Sequence, residues 1–421
     1  MNVLINQEQN DAHIGYAECQ LTEQQEKDQT CLGSSESQQK KTEGQKSGIK
    51  PKERLESLDA LRGFDLVMLV VLEELVFKMR PVIDADWYNT FLLGFSHKEW
   101  GGFSPWDLVM PLFMFMSGVT IPYSMEKYRG TGDKIYKRLA RRFVLLWIFG
   151  MICQGNLLSL DPQHIYLFSN TLQAIAVGYL FTAIIYLNTR TKTQISIAVG
   201  LLLAFWAAME FITIGGYGGG DYTPQGNLAE GIDRMVLGRF RDKAEVVDGA
   251  VVFQEWYTYT WLLSSLNFVV TVLSGALAGE LLRSKQTQRR KQMILFGAGI
   301  AMVVVGWLMD FIHPVIKHIW TSSMVLVSSG YCFLLLWAFY SWIDCMGHNR
   351  HLTFLKVYGM NSITAYVVSH VISFSSVSNS LFHGLDQYLG EWYPALITLS
   401  NAAILFGILY LMYRKRIFLR V

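Results

Sequence analysis

Charged side chains are scarce in this chain. Asp, Glu, Lys and Arg make up 17% of its 421 residues, against about 25% in an ordinary soluble domain. That shortage leaves too little polar surface for a soluble globule. The net charge of +2 is too balanced to suggest a nucleic-acid partner. Cysteine offers no metal-ligand spacing: Cys19, Cys31, Cys153, Cys332 and Cys345 are scattered, so no metal is expected. Three of them lie in or beside apolar runs, where an unpaired cysteine packs as a small hydrophobe. Apolar residues are themselves missing from the start of the chain. "TEQQEKDQTCLGSSESQQKKTEGQKSG" has almost nothing to bury, which predicts a disordered polar tail over 1–52. With no apolar h-region it does not read as a secretory signal. Asn-x-Ser/Thr is also lacking, in keeping with a bacterial inner membrane.

Hydrophobic residues are abundant instead, at 51%, with 14% aromatic. They gather in runs of about 20, the length that crosses a hydrocarbon core of about 30 Å. Such runs fall at 59–79, 103–124, 142–160, 166–187, 195–214, 261–282, 293–311, 320–342, 353–376 and 394–413. Residues 53–421 therefore read as an all-α polytopic membrane domain, a bundle of about ten transmembrane helices. The third and ninth runs carry several polar residues. Charge tests the count. With a cytoplasmic N-terminus, nineteen Lys and Arg fall on the inside, among them Arg138, Arg142, Arg350 and Arg420, and seven on the outside. The positive-inside rule thus favours ten spans with both termini cytoplasmic.

The largest outside segment, 215–260, opens "GGYGGGDYTPQGN". No Lys-Ser/Thr follows its glycines, so it is not a phosphate loop. A folded extracytoplasmic lid and a flexible spacer both fit it. Gly275 and Gly279 form a GxxxG in the sixth run. That close-packing face would serve either the internal bundle or a homodimer.

Ionisable groups inside a membrane are costly, by about 2.5–3.5 kcal/mol at the centre on insertion scales. Glu73 lies roughly 21 Å along the first span and His370 roughly 25 Å along the ninth, at 1.5 Å per residue. His97 and Asp107 flank the outer end of the second span, in "HKEWGGFSPWDLVMPLFMFMSGVT". All four are expected in the outer third of the membrane, as a reaction centre near that surface would require. Each has a plainer reading. Asp107 stands where a helix start takes an acid, after Ser104 and Pro105. His97 fits a loop histidine, and one of the adjacent Glu73 and Glu74 can face headgroups while the other points inward. Trp87, Trp100, Trp106 and Trp320 fit an interfacial aromatic belt, and Trp100 fits the wall of a substrate pocket as well.

Three stretches carry a family resemblance. "LESLDALRGFDL", "HKEWGGFSPWDLVMPLFMFMSGVTIPYS" and "YGMNSITAYVVSH" resemble the heparan-alpha-glucosaminide N-acetyltransferase family and its bacterial relatives. "GIDRMVLG" and "YRKRIF" support the match, which spans about 54–420. The resemblance implies a multi-helix enzyme that uses cytosolic acetyl-CoA to acetylate an amino sugar across the membrane. It implies that His97 acts in acetyl transfer and that Asp107 supports it. Two departures stand out. Glu73 falls where the eukaryotic enzyme has an asparagine, and "YTYTWLLSS" replaces the Asp-Pro-Glu-Gly often found before the sixth helix. Glu255 is the nearest carboxylate in sequence that would take its place.

The chemistry fits the residues. Histidine has an unperturbed pKa of about 6.5, suited to a general base, and it also accepts acyl groups. A carboxylate from Asp107 or Glu73 would fix its tautomer. The phosphates of acetyl-CoA would meet the basic side, with Arg62 and the 134–142 cluster, Arg138 included, as contacts. Asn361 and Ser362 would hydrogen-bond its pantetheine arm, or else simply join helices. Trp100 and His370 would meet the acceptor. Two other classes stay open: a transporter or flippase, with the polar residues as a pathway, and a scaffold or sensor whose transfer site is dead. No inverted repeat supports the transporter.

Overall fold

The computed structural model describes residues 55–130, 134–348 and 350–419. The tail at 1–52, Cys19, Cys31 and Arg420 lie outside the described residues, as does the side chain of Lys134. The described chain is mostly helical. Helix α1 (Glu56–Val67) continues through one π-helical turn (Met68–Leu72) into the segment Glu73–Lys78. Then come α2 (Pro105–Tyr128), α3 (Lys134–Cys153), α4 (Thr171–Asn188) and α5 (Thr191–Phe211). A short helix, α6 (Leu228–Leu237), precedes α7 (Ser265–Arg283), α8 (Gln288–Met309) and α9 (Ser322–Cys345). Helices α10 (Thr353–Met360), α11 (Ser362–Val371) and α12 (Asp386–Arg414) complete the bundle.

Seven of these helices are long and apolar enough to cross a membrane: α2, α4, α5, α7, α8, α9 and α12. The chain is a multi-pass integral membrane protein. The other three predicted runs are helical but less plainly apolar. The first carries Asp59, Arg62, Asp65, Glu73 and Glu74, and α3 carries Lys137, Arg138, Arg141 and Arg142 in its first half. The ninth run breaks at Asn361 into α10 and α11.

Helices α2, α4, α7 and α9 form the buried centre, while α5, α8 and α12 turn most of their surface outward. The GxxxG belongs to that centre. A Cβ on Gly275 would sit 2.0 Å from the Phe115 carbonyl oxygen, and one on Gly279 2.3 Å from that of Val119. The motif therefore seats α7 against α2 inside the bundle, where close backbone approach gives dispersion contact. Trp106 and Trp320 are each only 2% exposed and are core residues, not belt residues. The Trp320 indole N–H is satisfied inside, donating to Thr271 Oγ1 at 3.1 Å, whereas Trp87 is exposed.

The 215–260 segment is folded. Two hairpins, β1 (Thr213–Ile214) with β2 (Tyr217–Gly218) and β3 (Ala244–Val247) with β4 (Ala250–Phe253), flank α6. Asn227 caps α6, its Oδ1 accepting the Glu230 N–H at 2.9 Å. The inner face of α6 carries a buried ion pair, Glu230 with Arg241 at 2.5 Å, and Arg234 binds the other Glu230 oxygen at 2.6 Å. Arg241 also donates to the Tyr257 carbonyl at 3.2 Å. Asp233 accepts the N–H groups of Trp261 and Leu262, at 2.7 and 3.0 Å, just ahead of α7. These bonds tie the segment to the chain that leads into the bundle.

Candidate functional site

The residues before α2 explain the location of the site. Gly102 has φ of +99°, which only glycine adopts freely, and its N–H donates to Val315 O at 2.8 Å. Gly101 and Ile316 form an isolated antiparallel bridge. The two glycines thus dock the loop of His97 edge-on against the loop between α8 and α9. That docking sets Lys317 beside His97.

Asp107 acts with both oxygens. Oδ2 accepts the Ser104 N–H at 2.9 Å, closing the start of α2. Oδ1 lies 2.8 Å from His97 Nδ1 and 3.3 Å from Lys317 Nζ. Capping and support of the histidine therefore coexist in one side chain. The Asp107 side chain is 1% exposed and that of Lys317 6%, while the imidazole is 41% exposed. With Asp107 accepting at Nδ1–H, the Nε2 lone pair is left to act as base or nucleophile.

His97 lines a cavity of about 810 Å³. Glu73 and His370 line it too, so the structure brings together the titratable groups expected at one depth. Glu74 is exposed while Glu73 is half-buried at the wall. His370 stacks on Tyr366 with centroids 4.1 Å apart. Lys317, His318, Asp242, Glu99 and the stretch Trp256–Tyr259 complete the polar and aromatic wall. A second cavity of about 280 Å³ is lined by Arg62, Arg142, Ser117, Thr120, Ser124 and Ser362. Phe113, Thr171 and Tyr366 line both cavities. Thr171 is fixed there by a capping box: Asn170 accepts the Leu172 N–H at 2.7 Å, and Gln173 accepts the Asn170 N–H at 3.1 Å.

Four predicted contacts fall elsewhere. Trp100 is not in the cavity wall. It lies one layer behind, its ring parallel to His318 at 5.5 Å and its N–H donated to Tyr222 O at 2.9 Å. Arg138 points away from the second cavity and donates to the Tyr128 hydroxyl at 2.5 Å. Arg142 is the member of that cluster that lines the cavity, its guanidinium 3.8 Å from the Tyr179 ring centroid. Asn361, at the break between α10 and α11, is buried and donates to Val357 O in α10 at 3.3 Å, outside the cavity lining. Glu255 is exposed, and Asp242 is the carboxylate that its segment brings to the cavity.

Lys317 and His318 are not candidates on sequence grounds, where Lys317 is simply one of the seven outside Lys and Arg. The visible signal was "HPVIKHIW", a second cluster of His and Lys at a helix start. Burial lowers the Lys317 ammonium to a pKa of about 8, partly offset by Asp107 and then Glu73. Burial, then the positive Lys317, lowers His318 to about 4 and keeps it neutral. Burial lowers His313 to about 4. Neutral His313 accepts the Ser322 N–H at Nε2, 3.1 Å away, and donates from Nδ1 to the Tyr222 hydroxyl at 2.7 Å. The loop is therefore pinned on both sides of Lys317.

These features define a helical membrane protein with a His–Asp–Lys cluster at the wall of a large cavity. A family profile described as a domain of unknown function (DUF5009) matches residues 54–222. Heparan-alpha-glucosaminide N-acetyltransferase of Homo sapiens is 25% identical over 429 residues, covering 87% of this chain and 60% of that protein. The Mus musculus protein of the same name is 25% identical over 370 residues, covering 76% of this chain and 54% of its own length. The chain is a distant relative of these proteins and spans little more than half of each.

Proposed function

We propose that the protein is a transmembrane acetyltransferase that takes its acetyl group from cytosolic acetyl-CoA and delivers it to an amino sugar or related glycan on the extracytoplasmic side. On this reading all ten predicted runs cross, both termini are cytoplasmic, and 215–260 covers the outer mouth. One observation carries the proposal: a histidine bonded to a buried aspartate stands in a cavity that abuts a second, arginine-bearing cavity. The names of the relatives supply the group transferred.

The geometry supports the following roles. Arg62 and Arg142 present guanidinium groups to the phosphates of the donor, and Ser362 a hydroxyl to its pantetheine arm. The thioester reaches past Phe113, Thr171 and Tyr366 toward His97. Nε2 of His97 then either accepts the acetyl group, releasing the CoA thiolate, or takes a proton from the acceptor amine as it attacks the thioester carbon. Asp107 stabilises the imidazolium formed at the base step, and Glu73 supplies a second negative charge in the same cavity. The acceptor sits among Trp256, Tyr259 and His370.

The test is mass spectrometry of purified protein given isotopically labelled acetyl-CoA and a panel of amino sugars. We expect labelled N-acetyl sugar or labelled His97, and at least a 1000-fold loss in a folded His97→Ala variant. Full activity in that variant would overturn the assignment. Solute uptake into vesicles free of acetyl-CoA would support a transporter instead.

A further inference from the structure

We propose that Lys317 is a catalytic residue, holding its ammonium beside His97 to neutralise the oxyanion that forms when the acetyl carbon is attacked. The inference rests on the acetyltransferase reading and adds a group to it. Lys317 Nζ lies 2.8 Å from His97 Nδ1 and 3.3 Å from Nε2. An atom that close to both ring nitrogens stands off the imidazole plane, because an in-plane position would collide with a ring carbon. It therefore does not occupy the in-plane lone pair of either nitrogen. Nδ1–H remains free to donate to Asp107 at 2.8 Å, and Nε2 remains free for the substrate. The ammonium has its own bond to the same carboxylate oxygen, at 3.3 Å.

A carbonyl carbon bonded to Nε2, or held against it, carries its oxygen one further bond away. That oxygen falls within reach of an ammonium 3.3 Å from Nε2. The balance is simple. Attack on the thioester opens the carbonyl π bond onto oxygen, Lys317 keeps its protons and pairs with the O⁻, and collapse expels the CoA thiolate. No net proton leaves the lysine.

The position is rigid. Thr260 N–H donates to the His318 carbonyl at 3.0 Å, Trp320 N–H donates to the Lys317 carbonyl at 3.0 Å, and Gly101 bridges Ile316. The charged and titratable groups around the ammonium come from five segments. They are Asp107 at the start of α2, His97 before it, Glu73 after α1, and His318 with Tyr259 across from it. The two carboxylates hold the proton on, and burial opposes them, so the ammonium persists at neutral pH and is lost above about 8.

The test uses full-length protein in detergent, with acetyl-CoA and glucosamine as probes and CoA thiol release as the readout. Lys317→Met should lower kcat by about 100-fold or more, the scale of a lost oxyanion donor, with KM for acetyl-CoA little changed. Wild type should lose activity as pH rises through about 8. Lys317→Arg, whose charge does not titrate in this range, should retain part of the activity and lose that alkaline fall. It also keeps the test decisive if Lys317→Met fails to fold. A Lys317→Met enzyme with wild-type kcat, or a Lys317→Arg enzyme with the same alkaline fall, would overturn the proposal. An inactive wild type with no labelled His97 would instead remove the acetyltransferase reading beneath it.

Discussion

Asp107 concentrates three duties in one carboxylate: it closes the start of α2, orients His97 and pairs Lys317. Asp107→Asn retains a polar group at the cap but loses the charge. It should lower kcat far more than stability, with thermal unfolding measured alongside thiol release. Asp107→Ala should lower both, since it leaves the buried Ser104 N–H without its acceptor, a loss of about 1–3 kcal/mol. Lys317 gives a second contrast. Its folded pKa of about 8 is below the ordinary lysine value of 10.5, so the unfolded chain binds more protons between those values. Its contribution to stability therefore rises with pH across 8 to 10.5 while the reaction slows. A melting temperature that falls in step with activity over that range would point to unfolding instead of deprotonation. At this scale the sequence was half legible. Asp107, Glu73 and His370 stood out because membrane runs rarely carry such groups, and His97 because it lies in the stretch that carries the family resemblance. Lys317 did not, because a lysine between two spans serves equally well as a topology signal, and it reaches His97 through the docking of Gly101 and Gly102 on Ile316 and Val315.

Between elements, two kinds of contact hold the site open. One is the α2–α7 crossing, where Gly275→Leu would drive a side chain into the Phe115 carbonyl. It should strongly destabilise the protein in a detergent melt, whereas Gly407→Ala, with open space around its Cβ, should not. The other is the buried Glu230–Arg241 pair beneath α6. Arg241→Met leaves Glu230 with only Arg234 and frees the Tyr257 carbonyl. It should lower stability by less than about 3–5 kcal/mol, the cost of a fully stranded buried charge, because Arg234 still binds Glu230. Hydrogen exchange should rise at 254–261, the aromatic wall of the large cavity. The helices themselves were legible because apolar runs of that length allow little else. Whether 215–260 folds was not, since its glycines fit a spacer, and the decisive partners, Glu230, Arg241 and Tyr257, are far apart in sequence. The same limit hid the choice between an internal and an intermolecular role for the GxxxG: period alone names a close-packing face but not what lies against it.

For the whole molecule, the two abutting cavities make separable predictions. Arg62→Ala and Arg142→Ala should raise KM for acetyl-CoA severalfold without moving the pH profile. Thr171→Trp, at the shared wall, should block transfer while acetyl-CoA still binds. Cysteine labelling from outside intact cells should reach 215–260 and not the C-terminal segment after α12. Labelling of both would count against ten spans. Distance along the chain gave no hint of two chambers, because the lining of each is drawn from at least four helices or loops. The wall that the two cavities share at Phe113, Thr171 and Tyr366 also bears on how such a protein would keep a membrane sealed. On the proposed reading, a bulky nucleotide carrier would stay on one side and extend only its slender acylated arm past that shared wall. Passage of two carbon atoms would then require no rocking of one half of the bundle against the other, and the barrier to ions and water could stay shut through every turnover.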